Sequence, residues 1–227
     1  MILLTGASGG VGQEIIPYLQ RLDDVIGIYN KNKPIGKDNE NVKYVQLNLL
    51  DINKVERFIN EYKHVLKNIT VIHGAAVKVD ELAINVNEVD WDNVIEGNLK
   101  SNFLLSKALL PLMIEQSWGR IISLTSTGAI RGMPGTLAYS VSKSGLIGFT
   151  RVFAKEYARF NITTNLISLG YFDCGLYDDL SEDIQKKLIN EVPAKRLGGV
   201  ENISYGIDFV MKSDFTNGAT INIDGGI

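Results

Sequence analysis

Short apolar runs alternating with helical periods constrain this chain more than any other feature. The runs are Met1–Leu4, Val25–Tyr29, Val42–Leu47, Ile69–His73, Arg120–Leu124, Thr163–Ile167 and Thr220–Ile223. Helical spacing occupies Val11–Leu22 and Tyr139–Phe160, and a long stretch through Leu99, Phe103 and Leu104 to Pro111. It also fills a segment after Asp51, where Val55, Phe58, Ile59 and Tyr62 fall on one helical face and Asp51 suits the N-cap. Parallel strands need a crossover helix between them, and right-handed crossovers lay helices on both faces of the sheet. The pattern therefore predicts an α/β chain built on a doubly wound parallel sheet of about seven strands. Pro17, inside the first helix, removes a backbone donor and predicts a kink there.

The bulk properties bound what such a sheet can serve. The 227 residues form one expected domain, 1–227, with a substrate loop at about 171–200. A formal net charge of −3 offers no general attraction to nucleic acid or to an anionic membrane, so neither is an expected partner. No uncharged apolar run reaches the roughly 18 residues of a membrane span. The opening Met1–Gly6 lacks the basic lead and length of a secretory signal and reads as a strand. Cys174 is the sole cysteine, which excludes an intrachain disulfide and a cysteine-cluster metal site; no metal is expected, and the setting is taken as cytoplasmic.

Between the first strand and first helix lies Thr5-Gly6-Ala7-Ser8-Gly9-Gly10-Val11-Gly12. Glycines there permit a tight turn and let backbone N–H groups approach a pyrophosphate at a helix N-terminus, where the dipole favours negative charge. The strand-before, helix-after context makes Gly6, Ser8, Gly9, Gly10, Val11 and Gly12 a candidate dinucleotide cradle on a Rossmann-type sheet. A carboxylate ending the second strand would bind the ribose 2′-hydroxyl of NAD. Here Tyr29 is followed by Asn30, Lys31 and Lys33, so NADP is favoured over NAD, with Asn30 and Lys31 near the 2′-phosphate. The alternative is that these lysines simply solvate a loop.

Tyr139 and Lys143, four apart, project from one helix face. Tyr29 and Lys33 have the same spacing in a polar loop, so spacing alone decides nothing. Context does: Ser126 lies thirteen residues before Tyr139, just past the fifth strand, where carboxyl ends of parallel strands line a ligand crevice. Reducing a ketone requires a proton donor for the developing alkoxide. A phenol, with an unperturbed pKa of about 10, gains from a neighbouring ammonium that favours its ionised form. Tyr139 is the candidate acid/base, Lys143 the cation, and Ser126 the hydroxyl that holds the substrate oxygen.

These motifs together resemble the short-chain dehydrogenase/reductase family, and within it the 3-oxoacyl-carrier-protein reductases. The resemblance implies NAD(P)-dependent hydride transfer between the cofactor and a carbonyl or secondary alcohol. It adds Asn98, in Asn98-Leu99-Lys100-Ser101-Asn102-Phe103, as the organiser of a water-linked proton relay through the lysine. It also implies Asn48 and Leu49 at the adenine, Ala75 at the adenosine ribose, and Gly170 and Phe172 in the segment that folds against the nicotinamide. The family's usual pattern is departed from at His73, Asn48, Leu169 and Cys174, and Gly9 stands where many NADP-using members carry a basic residue. His73 is expected to replace a structural asparagine. Acidic Asp178, Asp179, Glu182 and Asp183 read as a solvated face of a substrate lid.

A small carbonyl or alcohol, including a 3-oxoacyl thioester, is the expected substrate class; Arg131, Lys195 and Arg196 are candidates for docking an acyl carrier protein. A sugar or polyol dehydrogenase, or a non-catalytic dinucleotide sensor on the same fold, are the competing readings. Ser140-Val141-Ser142-Lys143 fits a Ser-x-x-Lys pattern without its companion motifs, and no Gly-x-Ser-x-Gly elbow or P-loop occurs. The resemblance also implies a homo-oligomer, tetramer or dimer, paired through the two long helices, with Leu105, Leu109, Phe149, Val152 and Phe153 serving either that contact or the core.

Overall fold

The first strand sits at the centre of the molecule because it is apolar on both sides. In the computed structural model, which describes residues 1–174 and 181–227, β1 (Ile2–Thr5) is fully buried. Leu3 faces one core with Ile28, Val71 and Ile121, whereas Ile2 and Leu4 face the other with Ile72, Ile122 and Ile167. This two-residue alternation is the pleat of a strand covered on both faces.

The remaining strands are β2 (Val25–Tyr29), β3 (Val42–Gln46), β4 (Thr70–His73), β5 (Gly119–Ser126), β6 (Ile162–Leu169) and β7 (Thr220–Ile223). They form one seven-stranded sheet in the order β3-β2-β1-β4-β5-β6-β7. All pairings are parallel, with Ile2 opposite both Val25 and Thr70. The chain therefore winds outward from β1 to β3 and returns to the other side of β1 at β4. Strand order reverses between β1 and β4, which opens a crevice at their carboxyl ends.

Helices α1 (Gly10–Leu19) and α2 (Ile52–Tyr62) follow β1 and β3. Asp51 caps α2 by accepting from the Lys54 amide at 3.2 Å, and Val55, Phe58, Ile59 and Tyr62 form its buried stripe. Helix α1 runs on through Pro17, whose ring lies on the exposed side, and ends two residues later. After β4, α3 (Glu88–Ile95) leads through a π-helical turn, Glu96–Lys100, into α4 (Ser101–Gln116). This helix passes through Pro111, where the sequence pattern stops, and ends at Gln116.

Helix α6 (Leu137–Tyr157) crosses between β5 and β6, preceded by the short α5 (Thr127–Arg131). Helices α7 (Glu182–Glu191) and α8 (Val200–Lys212) complete the chain before β7; α5, α7 and α8 are additions to the elements read from the sequence. The spacing Ile203, Ile207, Val210 is the overlooked signal for α8, and these residues pack with Ile15 and Leu19 of α1. Glu182 and Asp183 begin α7, where negative charge suits the helix dipole; Asp178 and Asp179 lie outside the described residues. Leu105, Leu109 and Phe153 belong to the internal core beneath α4 and α6, Phe149 packs against it, and Val152 is exposed. Among the described residues no helix is long and apolar enough to cross a membrane.

Candidate active site

The glycine turn folds as it does because two of its residues have no room for a side chain. Gly6 adopts φ +73°, and a Cβ there would lie 2.7 Å from the Ala75 nitrogen. A Cβ on Gly12 would lie 2.2 Å from the Gly6 carbonyl oxygen. The Ala75 amide donates to Thr5 Oγ1 at 3.2 Å, so the turn after β1 and the segment after β4 are tied across the crevice. Helix α1 starts at Gly10 with Gly9 as its N-cap, and no side chain caps its first amides. An uncapped, positively polarised helix start behind a glycine surface is what a pyrophosphate requires, so these residues fit a dinucleotide.

The other expected cofactor contacts lie farther along the same edge. Asn30 and Lys31 are exposed directly after β2. The first carboxylate beyond β2 is Asp38, whose Oδ1 accepts the Tyr44 amide at 2.9 Å. Asn48 is exposed and uses its Oδ1 to accept the Leu50 amide at 3.1 Å, while the Leu49 side chain is buried in the core. Only the backbone of Leu49 is thus free to meet a ligand.

Ser126 ends β5, and Tyr139 and Lys143 occupy the first two turns of α6. Ser126 and Tyr139 line one cavity of about 520 Å³, together with Val11 of the glycine turn and Gly170 and Phe172 after β6. Burial raises the Tyr139 phenol above its ordinary pKa; hydrogen bonding from Ser126 works the other way, and Asp80 adds to the rise. Lys143 lies beneath the cavity rather than in its wall. Its Nζ is 5.8 Å from the Tyr139 ring centroid and donates to the Leu124 carbonyl at 2.8 Å. Burial lowers its pKa to about 8. The lowering of the phenol expected from Lys143 is not what sets its pKa: burial dominates, and the lowering influence comes from Ser126.

Asn98 occupies the π-helical turn and is fully buried. Its Oδ1 accepts the Val77 amide at 2.6 Å, and its Nδ2 donates to the Val77 carbonyl at 2.8 Å and to Ser142 Oγ at 3.0 Å. Ser142 Oγ in turn donates to the Tyr139 carbonyl at 2.8 Å. Asn98 thus braces the first turn of α6 without reaching the cavity. His73 is buried with Nε2 2.8 Å from Ser106 Oγ, and burial followed by the charge of Lys143 lowers its pKa to about 3. It is neutral and packed into the sheet.

Several cavity residues escaped the sequence reading. Thr127 bridges Ser168 Oγ at 3.1 Å and Asp224 Oδ2 at 3.3 Å, which joins the α5 start to the chain's end. Gly170 meets the same segment, since a Cβ there would lie 2.6 Å from Asp224 Cα. Ile184 and Leu188 enter the wall from α7, and Cys174 and Leu169 also line it. The candidate docking cations separate: Arg131 lines this cavity, Arg196 lines a second one of about 620 Å³ beside α8, and Lys195 Nζ donates to the Asn190 carbonyl at 2.6 Å. Among the described residues no cluster of His, Cys, Asp and Glu could hold a metal.

Comparison with known proteins agrees with this geometry. Residues 1–185 match the family model described as short chain dehydrogenase. The 3-oxoacyl-acyl-carrier-protein reductase FabG of Rickettsia typhi is 32% identical over 235 residues, covering 99% of this chain and 95% of its own. The reductase of the same name from Buchnera aphidicola subsp. Schizaphis graminum is 33% identical over 236 residues, covering 99% and 96%. A crystal structure from Agrobacterium tumefaciens, assigned provisionally as a gluconate dehydrogenase, superposes with a TM-score of 0.88 at 22% identity, covering 99% of this chain and 94% of that one. That likeness speaks for the fold. With a reversed-order parallel sheet, a glycine turn at the reversal and near full-length relatives, the chain belongs to the short chain dehydrogenase family of NAD(P)-dependent oxidoreductases.

Proposed function

We propose that the chain reduces a carbonyl compound, a 3-oxoacyl thioester foremost, with NADP as cofactor and Tyr139 as the proton donor. The observation that carries this reading is that Ser126 and Tyr139 line one cavity with Val11 at the end of the glycine turn, with Lys143 buried 5.8 Å from the Tyr139 ring. Bound along that turn, the nicotinamide cofactor supplies or accepts the hydride. Everything else falls to the chain. Burial keeps the phenol protonated at neutral pH, the form needed to give a proton to a developing alkoxide. Ser126 donates to the substrate oxygen, and that bond strengthens as charge develops on it. Lys143 carries positive charge below about pH 8 and steadies both the alkoxide and the phenolate left after transfer. Asn98 holds the α6 turn that carries the pair.

The thioester is favoured by the relatives named above and by the apolar wall of Phe172, Leu169, Met133, Ile184 and Leu188. A sugar or polyol substrate is favoured instead by Lys78, Arg131 and Glu191 in the same wall. A panel of 3-oxoacyl thioesters, keto-sugars and polyols with both cofactors, followed at the nicotinamide absorbance, separates these. The residues at about 171–200 that are described are read as the substrate loop. The absence of a carboxylate between Tyr29 and Asp38 supports NADP. A cytoplasmic setting fits the single cysteine, and a dimer or tetramer would use the exposed Phe103, Val141 and Val152 on the two long helices. Light scattering on the eluted protein tests the assembly.

The decisive experiment on the site is Tyr139→Phe. Turnover is expected to fall at least a hundredfold, in keeping with the roughly 10²–10⁴-fold worth of a placed proton donor. Titration should show cofactor binding retained. Undiminished turnover in this variant would remove Tyr139 from the chemistry; a wild-type protein that binds cofactor but turns over none of the panel would favour the sensor reading.

A further inference from the structure

Gln13, in the first turns of α1, touches both halves of the expected cofactor path. Its Nε2 donates to the Ser8 carbonyl of the glycine turn at 3.2 Å, and its Oε1 accepts the Ile35 amide at 3.0 Å. Ile35 belongs to the segment after β2 that carries Lys31 and Lys33. A second tie holds the other end of that segment: Gln46 Nε2 on β3 donates to the Asn30 carbonyl at 2.8 Å. Pro34 is buried between the ties, and Gly36 seats against Tyr44, where a Cβ would come within 2.3 Å of the phenol oxygen. Lys31 and Lys33, both exposed, form no ion pair among the described residues. The segment is thus an anchored span that presents two uncompensated ammonium groups.

We propose that Gln13 is a positioning residue that sets the preference for a 2′-phosphorylated dinucleotide, by fixing the lysine-bearing segment at a set distance from the glycine turn. Fixing matters because long lysine side chains lose rotational freedom when they bind, and a wandering backbone adds its own ordering cost. A primary amide suits the task. It donates at one end and accepts at the other, so one side chain closes the gap between a carbonyl and an amide on different loops. The inference rests on the cofactor reading above, and extends it from the lysines to the residue that aims them.

The test is a double-mutant cycle on the full chain, read as dissociation constants for NADPH and NADH by calorimetric titration. Gln13→Met keeps the length and helical preference and removes both polar ends. It should weaken NADPH about tenfold, the worth of roughly one lost hydrogen bond, and NADH less than twofold. In a Lys31→Ala/Lys33→Ala background the same substitution should leave the NADPH-to-NADH ratio unchanged, since nothing remains to be aimed. Amide exchange at Ile35 in cofactor-free Gln13→Met should quicken, which reports the clamp without any turnover. Equal weakening of both cofactors, or a Gln13 effect that persists without the lysines, overturns the proposal. A wild type that does not prefer NADPH fails the cofactor reading itself, whereas a wild type with that preference, retained in full by Gln13→Met, fails the proposal alone.

Discussion

Tyr139 and Lys143 are displaced from their ordinary pKa values by the same cause, removal from water, and in opposite directions because one is charged when deprotonated and the other when protonated. The phenol is held protonated, while the ammonium is brought to a pKa of about 8, within reach of the assay range. As the Lys143 pKa is about 8, its positive charge is intact below that pH and lost above it. Reductive kcat/KM should therefore hold steady from neutrality to about pH 8 and decline beyond. Lys143→Arg, whose guanidinium keeps its charge throughout, should remove that limb even if the absolute rate is lower. A profile that stays flat to pH 10 in the wild type would separate Lys143 from the chemistry.

At the scale of elements, the site depends on where helices begin and where one is locally widened into a π turn. The starts of α1, α5 and α6 all open toward the carboxyl edge of the sheet, so each contributes to the cavity from its first turns. The π-helical turn between α3 and α4 inserts Asn98 into the interior, where it serves the loop after β4 and the first turn of α6 at once. Such turns recur at functional positions because the extra residue redirects a side chain. Asn98→Ala removes the partner of the half-exposed Val77 amide and carbonyl and of the buried Ser142 hydroxyl, and an unsatisfied buried group costs roughly 1–3 kcal/mol. Chemical denaturation should show a loss of about 2 kcal/mol or more. A stability unchanged by the substitution would mean the loop and α6 stand without this brace.

Across the whole molecule, two buried titratable groups set how stability responds to pH. His73 is neutral in the fold with a pKa near 3, against about 6.5 in an unfolded chain. Above pH 6.5 it is neutral in both states and contributes no pH dependence. Below that value the unfolded chain takes up the proton first, so stability falls steadily toward pH 3. His73→Gln should flatten this part of the curve of melting temperature against pH. Lys143 is the converse case: its charge is retained at neutral pH despite burial, at a cost on the order of 3 kcal/mol. Lys143→Met should thus unfold later than the wild type at pH 7, by roughly 1–2 kcal/mol after the Leu124 carbonyl loses its donor. The site is held against the preference of the fold around it.

The sequence by itself determined the parallel sheet, the position of the glycine turn and the face shared by Tyr139 and Lys143, because each follows from local period or spacing. Every strand was legible to within two residues at its ends, as was the capped stripe of α2, since burial on both faces or on one stripe writes itself as runs and repeats. The closing helices were less legible. The Ile203–Val210 stripe of α8 is visible only once Gly198 and Gly199 are seen as its start, and α7 exposes nearly all its surface. Tertiary structure alone decided the strand order that opens the crevice and the direction in which Lys143 turns. It likewise decided the assignment of Leu105, Leu109 and Phe153 to the interior, and the bond from Gln13 to a loop 22 residues away. These are contacts between segments distant in the chain. No local pattern encodes them, because the energy that selects them arises only when water leaves the space between two already formed elements.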